Sequence, residues 1–348
     1  MLRVLHAILH AFDFEVGSAY LSQAELPLDD RQTKSYVQRH LRRITASPES
    51  RHGEFAEDSL FAGQLVDYLS GRDGFVELSI SVAQWFWEEL RRADAVEQAD
   101  LLVAEFEETV DVKASSCEDE VAASFDGDAP RYFAVLVLPR KLTFSHELDI
   151  DANGIFRNDG TLPSPTQKIV SYLLVNERTM AIDFSDKPRL IAGREVNVIA
   201  DDFLKCHARP SGRDVFAAVS SIVEEVAEQA GLNPALEVSR AKAVLAREAE
   251  EGEVVSPLQV GRRVFADRED LVERYEHETA QQQLPDEVPV RRGAANRMAK
   301  THSIRTDTGV TITFPSELAD RKGYIDFTRG DDGRLTITIA NVSRIDTR

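Results

Sequence analysis

The chain has 348 residues, 43% hydrophobic and 29% charged, with 60 acidic against 41 basic side chains and a net charge of −19. That composition supports a sizeable core and argues against global disorder, while the length suits two domains or one with a large appendage. Two cysteines, Cys117 and Cys206, with no C-x-x-C or Cys/His cluster, argue against a disulfide framework or a zinc site and fit a reducing cytosol.

The N-terminal run has a faint signal-peptide texture, but His6 and His10 interrupt it and Asp13 and Glu15 follow without a cleavage site. A buried first strand or helix is the expectation, and no apolar run is long enough to span a bilayer. The chain to about Asp94 reads as mainly helical. Asp29 or Asp30 caps a helix with Tyr36, Val37, Leu41 and Ile44 on one face. Phe55, Leu60, Phe61, Leu65, Tyr68 and Leu69 pattern a second, and Ile80, Ala83, Trp85, Phe86, Trp87 and Leu90 a third.

The period then changes. Residues 100–106 and 131–138 are short apolar runs, expected to be antiparallel neighbours. Between them residues 105–128 hold nine acidic side chains and one lysine. Residues 171–175 and 179–184 predict a hairpin, and residues 195–205 a helix with Val196, Ile199 and Phe203 on its apolar face. A hinge is expected at residues 209–212. Beyond it Val215, Val219, Ile222 and Val226 mark a helix stopped by Gly231. Asn233-Pro234 and Ser256-Pro257 signal further starts, for three or four helices in all. Residues 284–289 read as a linker. Val310, Ile312 and Phe314 alternate along a strand, and residues 324–328 and 334–339 form a hairpin.

The order and spacing of several segments carry a resemblance. They are Ala7-Ile-Leu-His10, Tyr132-Phe-Ala-Val-Leu-Val-Leu138, Leu162-Pro-Ser-Pro-Thr-Gln-Lys168, Asp201-Asp-Phe-Leu-Lys-Cys206, Thr308-Gly-Val-Thr-Ile-Thr-Phe-Pro315 and Leu335-Thr-Ile-Thr-Ile-Ala-Asn341. Together they resemble the NdpA-type bacterial nucleoid-associated protein family over nearly the whole chain. The resemblance implies a dimeric cytoplasmic protein found with the nucleoid, with no catalytic centre. Relatives in anti-phage systems make recognition of foreign DNA a variant of that role.

An acidic chain that binds DNA must gather its cations locally, because phosphate neutralisation supplies sequence-independent affinity. Residues 291–305 do so, with Arg291, Arg292, Arg297, Lys300 and Arg305 and no acid. Within a Debye length of roughly 8 Å, local charge outweighs the total. Gly293, Ala294 and Ala295 would let the backbone approach a phosphate; the competing reading pairs these arginines with acidic surfaces. A second cluster is Arg39, Arg42 and Arg43, with Lys34 and Arg31 on the preceding turns, so that Arg31, Lys34 and Arg42 could form a helical stripe, against the plainer reading of a solvated helix face. Arg91-Arg92 and Arg262-Arg263 read as ordinary surface pairs. Trp85, Phe86 and Trp87 could stack bases, but adjacent helical positions diverge and core packing is favoured.

Catalytic signatures are sparse. Asp111 with Lys113, and Asp201-Asp202 with Lys205, have a nuclease-like texture without specificity, and no phosphate-binding glycine loop or nucleophile elbow occurs. The sequence therefore predicts an α+β fold: a mixed or antiparallel sheet with flanking helices (residues 1–209), a helical segment (210–284) and a small C-terminal β-hairpin unit (285–348). The expected role is non-catalytic DNA binding at the nucleoid with no cofactor. The alternatives are an acidic surface docking on a DNA-handling enzyme, and a metal-dependent nuclease. The helical segment is expected to support a homodimer, because its apolar faces exceed what a small β unit could cover.

Overall fold

A computed structural model describes residues 2–108, 129–147, 153–206, 208–252, 254–299, 301–315, 318, 323–329 and 335–344. Contacts divide the chain into two units, residues 1–45 with 51–209 and residues 46–50 with 210–348. The class is α+β, as the sequence predicts.

The first unit contains, in chain order, β1 (Leu2–Asp13), β2 (Ser18–Tyr20), α1 (Arg31–Thr45), β3 (Arg51–Gly53), α2 (Leu60–Leu69), α3 (Phe75–Leu90), β4 (Ala99–Glu108) and β5 (Arg131–Pro139). There follow β6 (Lys141–Glu147), β7 (Gly154–Thr161), β8 (Tyr172–Asn176), β9 (Ile182–Ser185), β10 (Arg189–Ile191) and β11 (Arg194–Val196). Seven strands form one sheet in the order β2-β1-β4-β5-β8-β9-β3, with every pairing antiparallel. The expected β4–β5 and β8–β9 neighbours are both present. The N-terminal run is a long strand, flanked on one side by the short β2 and on the other by β4.

Both faces of the sheet are covered, which is why its central strands read as continuous apolar runs rather than alternating ones. Leu101, Val103, Phe133, Val135, Leu173 and Val175 point to the face carrying α2 and α3. Leu102, Ala104, Phe106, Ala134, Leu136 and Leu174 point to the face carrying α1. Phe86 and Trp87 are buried in the first of these cores, and Trp85 packs on Phe203 with ring centroids 4.6 Å apart. The three aromatic residues therefore serve the core.

The expected helix over 195–205 is a shorter π-helix, Val198–Leu204. Val196 is instead the last residue of β11, whose partner is β10. Asp186 ties this region together. Its buried carboxylate accepts from Ser171 Oγ at 3.1 Å, from the Ile199 amide at 2.7 Å and from Arg189 Nη1 at 3.1 Å.

His10 is fully buried in β1. Its Nδ1 accepts from the Ser22 amide at 3.1 Å, which leaves the proton on Nε2, 3.2 Å from Ser79 Oγ. Burial pushes its pKa from 6.5 down to about 4. As pH falls, the unfolded chain takes up this proton first. The contribution is thus complete above pH 6.5 and is lost between 6.5 and about 4. Between pH 7 and 4.5 the His10→Gln variant is expected to lose about 2 to 3 kcal/mol less stability than the parent, measured by denaturant unfolding at both pH values.

The second unit contains α4 (Gly212–Gln229), α5 (Pro234–Gly252), β12 (Val254–Val255), α6 (Pro257–Val264), α7 (Glu269–Gln281), β13 (Val288–Pro289) and α8 (Arg292–Ala299). Two hairpins close it, β14 (Thr301–Arg305) with β15 (Thr311–Pro315), and β16 (Ile325–Arg329) with β17 (Leu335–Ile339). Ser211 and Asp214 cap α4 reciprocally, Gly231 at φ 69° ends its last turn, and Asn233 Oδ1 accepts from the Ala235 amide at 3.1 Å to start α5.

Val215, Val219, Ile222 and Val226 are buried within this unit, against Leu245, Leu271 and Tyr275. The faces that led to the expectation of helical dimerisation are thus covered by the chain's own helices. Val288 and Val290 join that core and β13 pairs with β12, so the stretch expected to be a linker is partly core. Gly261 packs so tightly that a Cβ there would collide with the Tyr275 ring. Val310, expected on the face shared by Ile312 and Phe314, is exposed because β15 begins one residue later.

Candidate nucleic-acid interface

Helix α1 carries five basic side chains, Arg31, Lys34, Arg39, Arg42 and Arg43, and no carboxylate. Its start is fixed by Asp30, whose carboxylate accepts from the Thr33 amide at 2.8 Å and hydroxyl at 2.7 Å. Val37, Leu41 and Ile44 seat one face on the sheet. Tyr36 anchors the same side by donating to the Pro163 carbonyl at 2.9 Å, and it meets buried His40 edge-on at 4.6 Å. Burial holds His40 below its ordinary pKa range, so the ring belongs to the apolar anchor and adds no charge to the surface.

The opposite face is cationic. Arg31, Lys34, Arg39 and Arg42 are exposed and Arg43 is half-buried. From Arg31 to Arg42 the helix rises about 16 Å, at 1.5 Å per residue. Among the described residues none of these five side chains is in an ion pair or a side-chain hydrogen bond. Several other exposed cations are paired. Arg3 meets Glu107 at 3.1 Å, Lys205 meets Asp58 at 2.8 Å, Arg209 meets Glu54 at 3.1 Å and Arg213 meets Glu49 at 2.6 Å. Arg91, Arg92, Arg262 and Arg263 are likewise held, by Glu88, Glu89, Glu276 and Glu248.

Of the tract over 291–305, the structure describes the side chains of Arg291 and Arg305 among its five cations. Arg291 is half-buried, and its carbonyl accepts from the Ala294 and Ala295 amides at 2.9 and 3.0 Å to open α8. Ala294 and Ala295 are buried in the second unit's core, and a Cβ on Gly293 would come within 2.9 Å of Ala46 Cβ. The small residues expected to admit a phosphate therefore serve packing. Arg305 is exposed at the end of β14. Arg292 and Arg297 lie on α8 with side chains outside the description, and Lys300 lies outside the described residues.

The acidic segment begins inside β4. Glu105 is buried there and accepts from the Tyr68 hydroxyl, while residues 109–128, with Asp111 and Lys113, lie outside the described residues. Nearby Glu177 is pushed up to about 7 by burial and by the Glu105 charge. Of the other nuclease-like group, Asp201 accepts from the Asn197 amide at 3.1 Å and Lys205 is paired with Asp58. Among the described residues no group of three His, Cys, Asp or Glu side chains is placed to hold a metal ion.

The fold and surface define an α+β protein whose first unit carries a helix with five cations, none of them in an ion pair among the described residues. The family model described as "Nucleoid-associated protein YejK" matches residues 8–345, and the chain belongs to that family. The resemblance drawn from the sequence segments is thereby confirmed. A search of curated proteins found no match. Among the described residues no helix is long and apolar enough to cross a membrane.

Proposed function

We propose that this chain is a non-catalytic, nucleoid-resident protein that binds DNA through the cationic face of α1. The observation that carries the reading is a 15-residue helix with five cations, no acid and, among the described residues, no ion-pairing carboxylate, in a chain of net charge −19. Neutralising such a charge pattern is favourable for a polyanion and unfavourable for the chain alone. Arg31 and Lys34 near the helix N-terminus even oppose the macrodipole, so stability does not explain them. Membership of a nucleoid-associated family supports the same reading.

Exposed arginine and lysine on one helix face suit phosphate contact, which positions a duplex without reading its sequence. The test is a titration of labelled duplexes of unrelated sequence with the intact protein. Closely similar affinities for all of them are expected. Absence of binding at low salt, or binding restricted to one sequence, would reject the reading.

A further inference from the structure

The first unit contains a partly open cavity of about 270 Å³ where α3 ends and β4 begins, beside the end of β5 and the hairpin β10–β11. Its floor is apolar and buried, made by Leu90, Ala93, Ala99 and Val137. At roughly 30 Å³ per molecule it has room for about nine waters, which would find few partners on such a floor. It lies just below the roughly 300 to 1,000 Å³ of clefts that take drug-sized ligands, so it suits one ring or a short chain.

Five charged side chains line the cavity, and four are already engaged. Asp94 accepts from the Ala192 and Gly193 amides, each at 3.0 Å. Lys187 donates to Glu97 at 2.5 Å. Arg189 is held by Asp186 at 3.1 Å and donates to Ser171 Oγ at 3.2 Å. Glu195 is the fifth, exposed and in no ion pair or side-chain hydrogen bond among the described residues. The β10–β11 register sets it directly opposite Leu190, which is 53% exposed. A free carboxylate and an apolar lip therefore stand side by side at the mouth.

We infer that this cavity binds a small amphipathic cation, a primary ammonium carried on one apolar ring or a short alkyl chain. The apolar body displaces water from the floor, and the ammonium meets Glu195. Both lining cations are already paired, so an anion of the same shape would have to break an ion pair and would meet Glu195 as a like charge. None of the lining residues lies on α1, so the site is independent of DNA binding through that helix.

Phenethylamine, phenethyl alcohol and hydrocinnamate share a ring and a short tail and differ in charge. Each is titrated into the intact, isotope-labelled protein and followed by amide NMR. The amine is expected to bind with a Kd on the order of a millimolar and to shift amides around Ala93, Val137 and Glu195. The alcohol should bind about two- to fivefold more weakly, and the acid more weakly still. Glu195→Gln, at an exposed position, is expected to bring the amine down to the level of the alcohol and to leave the alcohol unchanged. Ala93→Leu fills the floor and should weaken both. An amine that shifts no amide at the cavity, an acid that binds as tightly as the amine, or a Glu195→Gln chain that still prefers the amine would overturn the inference. So would unchanged binding in Ala93→Leu.

Discussion

Replacing Arg31, Arg39 and Arg42 together by alanine is expected to weaken DNA binding to the same degree for every sequence. It should also flatten the plot of log K against log salt by about 2.7, at roughly 0.9 for each phosphate no longer neutralised. These side chains project to solvent and touch no described carboxylate, so their removal leaves the first unit's core intact. Circular dichroism and the unfolding transition should match the parent. The companion triple variant at Arg291, Arg292 and Arg297 separates the two basic clusters. If α1 is the interface, this second variant keeps most of the parent's salt dependence. If the tract is the interface, the outcomes exchange. Fluorescence anisotropy with two unrelated duplexes at four or more salt concentrations distinguishes them.

The largest effect on stability is expected at Asp186. Asp186→Ala removes the shared acceptor of a buried arginine, a hydroxyl and a backbone amide. Breaking a buried pair by deleting one partner costs about 3 to 5 kcal/mol, because the other charge stays behind. Arg189 would retain Ser171 Oγ at 3.2 Å and the Lys187 carbonyl at 3.1 Å, neither of which neutralises it. The destabilisation should appear in the unfolding of the first unit, with faster hydrogen exchange at the Ile199 amide. Asp186→Asn keeps the size and one acceptor and should lose less. A cost below about 1 kcal/mol for the alanine variant would show that the region relaxes around the missing carboxylate.

Much of this architecture was legible where local chemistry and burial agree. Strands β4 and β5 announce themselves because both their faces are buried, and α1 because Asp30 caps it and Val37, Leu41 and Ile44 recur at helical spacing. Elements that depend on distant partners were harder to read. Val288 and Val290 lie in a proline-bearing acidic stretch that reads as linker, yet both complete the core of the second unit. Hairpin β6–β7 mixes apolar residues with Gly154, Asn158 and Gly160, which weaken the strand signal.

The candidate interface shows the same divide. The sequence displays the stripe Arg31, Lys34 and Arg42 beside Arg39 and Arg43, but a solvated face and a polyanion site look identical there. Pairing with carboxylates distinguishes them, and that is a tertiary property. Conversely, residues 291–305 look compact as a string. In the fold, Arg291 opens a helix whose Ala294 and Ala295 are core, while Arg305 ends a strand in the following hairpin.

The most direct test of the central claim is the salt dependence of duplex binding by the intact protein. Five phosphates neutralised by α1 predict a slope of about −4.5 in log K against log salt, independent of duplex sequence. A slope near zero, or the parent's full slope persisting after Arg31, Arg39 and Arg42 are replaced, would contradict it.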